Sequence, residues 1–122
     1  MQVKLKTLVD SWPTLQKLGG FKVGEGINIQ QAYRLGKLCS EVELEIGRVD
    51  KLRSDLFLKY GEQVDGETVI KQENVSTYIT EIEYLLSETV ELNIPNILLS
   101  ELDESIPLTP LDFKHLSWLI IG

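Results

Sequence analysis

The strongest constraint lies mid-chain, where apolar residues keep helical spacing from about Asn28 to Tyr60. Leu35, Leu38, Val42, Val49, Leu52 and Leu56 share one face, and Ala32, Cys39 and Ile46 run beside them as a second stripe that ends at Arg53. So wide an apolar face must be covered on more than one side. It fits a central helix packed against two others, although a coiled-coil partner could share part of it. Gly36 and Gly47 weaken this helix and mark a close approach or a bend. With 122 residues in all, the rest of the chain suffices for one domain, residues 1–122, built around that helix.

The flanking segments carry their own signals. Between residues 3 and 18, Leu5, Leu8, Val9, Trp12, Leu15 and Leu18 make another apolar helical face. Pro13 interrupts it and predicts either a short strand with a helix starting at Ser11, or two helical turns broken at the proline. "GGFKVGEGINIQ" reads as a loop with an extended piece; it holds neither GxGxxG nor GxxxxGK[ST], so the glycines do not define a phosphate-binding loop. The long helix is expected to stop at Gly61 as a glycine C-cap. Asp65-Gly66 between "EQV" and "ETVIK" then predicts a two-stranded ribbon. Residues 73 to 88 place Val75, Tyr78, Ile79, Ile82, Leu85 and Leu86 on one face of a further helix, with Glu81, Glu83 and Glu88 outside it. Val90, Leu92 and Ile94 alternate before Pro95 as an extended edge segment, and Asp103 to Pro107 read as a loop.

The chain closes on "LTPLDFKHLSWLIIG". Thr109 is a good N-cap, Pro110 takes the favoured first helical position, and Asp112 completes an aspartate version of the capping box. Leu108 and Phe113 stand where a hydrophobic staple would join. The tail is therefore expected to be helical, with Leu116, Leu119 and Ile120 on one face and Trp118 and Ile121 at its sides. Four large apolar residues against a free carboxyl terminus need a cover, either the chain's own core or another molecule. Self-docking is the favoured expectation, with the side residues left to reach a partner.

Chemistry is sparse. His115 is the sole histidine and Cys39 the sole cysteine, far apart in sequence, so no zinc cluster is expected, and Cys39 reads as a structural thiol. His115 with Asp112 one turn earlier could form a general base, and Asp103 with Glu104, or Glu81 with Glu88, could pair as carboxylates. Solvated surface groups are the simpler reading of each. No cofactor, metal site or catalytic residue is assigned. Residues 1–61 carry ten Lys or Arg against seven Asp or Glu, net +3, whereas residues 62–122 carry two against twelve, net −10. So acidic a second half repels a phosphate backbone, which argues against nucleic acid as a partner. No apolar run approaches the roughly 18 residues of a membrane span. The start, "MQVKLKTLVDSWP", lacks the apolar core and cleavage site of a secretory signal, so a cytosolic chain is expected.

Taken in order, "INIQQAYRLGKLCSEVELEIGRVDKLRSDLFLKYGE", a hairpin, "IKQENVSTYITEIEYLLSETVEL", "IPNILLSEL" and "IPLTPLDFKHLSWLI" resemble a family of small bacteriophage and prophage proteins of unknown function. The shared features are a long helix ending in a Lys-Tyr-Gly stop, a short helix after an Asn, a strand like "VEL" and a terminal helix. The resemblance spans about residues 1 to 120 and is structural, carrying no active site. It implies a phage origin, with the chain in the host cytoplasm during infection or in the virion. The combined expectation is a mainly helical α+β domain with three to four helices, one long and central, plus a small hairpin and one extended edge segment. It would act without catalysis as a virion structural or assembly component, binding other phage or host protein subunits or copies of itself. The alternative is a small acidic inhibitor of a host protein. The candidate interface comprises Trp118, Leu119, Ile120, Ile121, Val64, Val69, Leu92 and Ile94.

Overall fold

The computed structural model describes residues 1–93, 96–99 and 107–122. In chain order the elements are β1 (Gln2–Lys4), α1 (Leu5–Gly19), α2 (Ile29–Tyr60), β2 (Gly61–Val64), β3 (Glu67–Ile70), a 3-10 turn at Gln72–Asn74, α3 (Val75–Leu86), β4 (Thr89–Glu91), β5 (Ile97–Leu98), α4 (Pro110–His115) and β6 (Ile120–Ile121). This is the mainly helical α+β fold, with α2 as its long central helix. The expected loop at Asp103 to Pro107 lies, save for Pro107, outside the described residues, as does Ile94.

α2 begins where its capping chemistry says it should. The Asn28 side chain accepts from the Gln31 N–H at 2.9 Å, and the Gln31 side chain accepts from the Asn28 N–H at 2.8 Å. Its inner face carries buried Leu35, Leu38, Val42 and Val49 into a core shared with Leu8, Leu15 and Leu18 of α1 and with Leu116 and Leu119 of the tail. Beyond Val49 no residue of α2 is fully buried, and Leu52, expected inside, is nearly half exposed. The last third of the helix thus extends past the main core and meets α3, the 3-10 turn and the β2–β3 hairpin.

Three expectations need correcting. α1 neither breaks at Pro13 nor starts at Ser11; it runs unbroken from Leu5 through the proline, and the strand before it is only Gln2–Lys4. Burial of Leu8, Leu15 and Leu18 on one face offsets the hydrogen bond that proline cannot donate. Gly61 is not a left-handed cap: it is extended, with φ −89° and ψ 166°. Its need for glycine is steric, since a Cβ would lie 2.6 Å from the Phe57 carbonyl oxygen and 2.7 Å from Thr68 Cγ2. The tail is helical only over Pro110–His115; it then turns and finishes as β6, parallel to β5.

Small sheets tie distant segments together. β1 pairs antiparallel with β4, matching Val3 with Val90, and the pairing continues as Leu5 N–H to Glu88 O and Leu92 N–H to Met1 O, both 2.8 Å. The segment expected at an edge is therefore held by the amino terminus. β2 and β3 form the hairpin over Asp65-Gly66, whose φ values of 53° and 82° are the left-handed pair of a type I′ turn.

Candidate protein interface

The tail is fastened from inside. Ser11 is buried on the α1 face and its hydroxyl oxygen accepts the Trp118 indole N–H at 2.8 Å. Its single proton is shared between the carbonyls of Thr7 at 2.6 Å and His115 at 2.8 Å. Asn96 Nδ2 donates to the carbonyls of Trp118 at 3.0 Å and Leu119 at 3.3 Å, and the Ile97 N–H reaches Leu119 O at 2.9 Å. Outside this network, Lys17 Nζ meets Asp112 Oδ2 at 2.7 Å, and the same oxygen accepts the Thr109 N–H at 2.9 Å, which completes the capping box. These bonds, Lys17 first, hold the Asp112 carboxyl down from its ordinary value of 3.8 to about 2.

These contacts sort seven of the eight candidate interface residues, Ile94 lying outside the described residues. Leu119 and Leu92 are buried in the chain's own core, and Trp118 and Ile120 are half-buried against it. Nearly half of Ile121 remains exposed at the end of β6. The tail's apolar residues are thus mostly consumed in closing the fold, as the self-docking expectation had it. Val64 and Val69 stay outside, 44% and 40% exposed.

The hairpin's register explains why. Glu62 pairs with Val69 and Val64 with Glu67, so these four side chains share one face, while Thr68 and Ile70 are partly covered on the other. The outer face therefore presents two valines between two glutamates. Further along the chain, α3 leaves Val75 and Ile79 substantially exposed and buries none of its residues fully. α3 packs Leu85 and Leu86 against the main core and is held to the end of α2 by polar and aromatic contacts. The Tyr60 hydroxyl donates to Glu81 Oε1 at 2.8 Å, Lys59 Nζ stands 3.9 Å from that oxygen, and Phe57 meets Tyr78 edge to face at 6.4 Å.

The sequence reading missed Glu81 and Ser11. Glu81 was placed among solvated carboxylates, yet it is the polar link between α3 and the end of α2. Ser11 carried a readable signal: it is a small polar residue on an otherwise apolar stripe between Leu8 and Leu15. Asp112 and His115 do not form the conceivable acid–base pair, because the Asp112 carboxylate is engaged with Lys17 and Thr109. Cys39 is half-buried, its Sγ 3.5 Å from the Leu15 carbonyl oxygen, and burial with Glu43 nearby pushes the thiol up, away from reactivity.

Among the described residues no cluster of three His, Cys, Asp or Glu side chains is placed to hold a metal, and no helix is long and apolar enough to cross a membrane. No family model, curated protein or solved structure matches the chain.

Proposed function

We propose that this chain is a non-enzymatic protein-binding domain of phage type, a virion structural or assembly component that engages a protein subunit through the far end of α2. The observation that carries the reading is the β2–β3 hairpin, which exposes Val64 and Val69 between Glu62 and Glu67 on one face. Such a patch, apolar in the middle and acidic at its rim, fits a partner with an apolar strip bordered by basic residues. Among the described residues both hairpin strands are also unpaired on their outer edges, so a partner strand can join there. The virion context rests on the resemblance of the motif order to small phage proteins read from the sequence.

Mass spectrometry of purified particles from the phage that encodes the chain tests this. The chain should be present in stoichiometric amount, and Val64→Lys with Val69→Lys should lower incorporation at least tenfold while leaving the thermal melt unchanged. Absence from particles would overturn the virion assignment.

A second reading, an acidic inhibitor of a host protein, draws on the exposed Glu62, Asp65 and Glu67 of the hairpin and on the net −10 of residues 62–122. It predicts binding to a basic host surface that weakens steeply with salt, whereas an apolar assembly contact changes little.

A further inference from the structure

We draw no further inference here: the strongest candidate, the open hollow between the last turns of α2 and the first turn of α3, lined by Arg53, Ser54, Phe57, Leu58 and Tyr78, is a shallow and largely apolar dent in the surface, and nothing in the structure shows what covers it.

Discussion

At the scale of single residues, three positions do most to hold the ending in place or to set the path of the chain. Ser11 satisfies the Trp118 indole and the His115 carbonyl at once, so Ser11→Ala leaves a donor and an acceptor short of a partner in a part-buried site. Urea unfolding should show a loss of about 1–3 kcal/mol, with a red-shifted Trp118 emission. Gly61→Ala drives a Cβ into the Phe57 carbonyl and should cost roughly 1–3 kcal/mol. Gly47→Ala, facing open space within the monomer, should instead raise monomer stability by up to about 1 kcal/mol. The contrast between the two glycines is measurable in the same unfolding assay. Asp112 adds a pH dependence. Its carboxyl is lowered in the folded chain to about 2, so its contribution is fully present above the ordinary value of 3.8 and is lost as pH falls towards 2. Acid titration followed by Trp118 fluorescence should therefore show α4 loosening in that window, and Lys17→Met should shift the onset to higher pH.

At the scale of elements, the burial gradient along α2 separates a firm end from a light one. Leu38 is completely enclosed, and Leu38→Ala should cost about 2–5 kcal/mol in denaturant unfolding. Ile82, which sequence spacing ranked with it, is only half-buried on α3 and stands apart from the main core, so Ile82→Ala should cost about half as much or less. Equal losses at the two sites would contradict the gradient. The elements legible in the sequence were those with local determinants: the span of α2 from about Asn28 to Tyr60 by its apolar spacing, the Asp65-Gly66 turn, and the Thr109-Pro110 start of α4 all stand where the sequence places them. The features missed depend on residues far apart in sequence. The passage of α1 through Pro13 is decided by packing, and the strand at Ile120–Ile121 exists because β5 lies beside it. Gly61 looked like a cap because helix ends and tight approaches both select glycine; only the position of Phe57 and Thr68 tells them apart.

At the scale of the whole molecule, both termini are tied into one end. Met1 is held by Glu91 at 2.9 Å and by the Leu92 carbonyl at 3.0 Å, while Leu116 and Leu119 complete the core beneath α1. Closing the fold at that end leaves the far end of α2, with its hairpin, as the surface that the proposed reading assigns to a partner. The exposed candidates were legible in the sequence only in part: the Asp65-Gly66 turn marked the ribbon that carries Val64 and Val69, but apolar character alone could not tell them from Leu92 and Leu119, which the chain covers itself. The most direct test is the thermal unfolding of the chain lacking residues 117–122, followed by circular dichroism beside the full chain. If the tail closes the chain's own core, the truncated protein loses its cooperative transition or melts far lower; a cooperative melt at the full chain's temperature would contradict the account and return the tail to service as a binding surface.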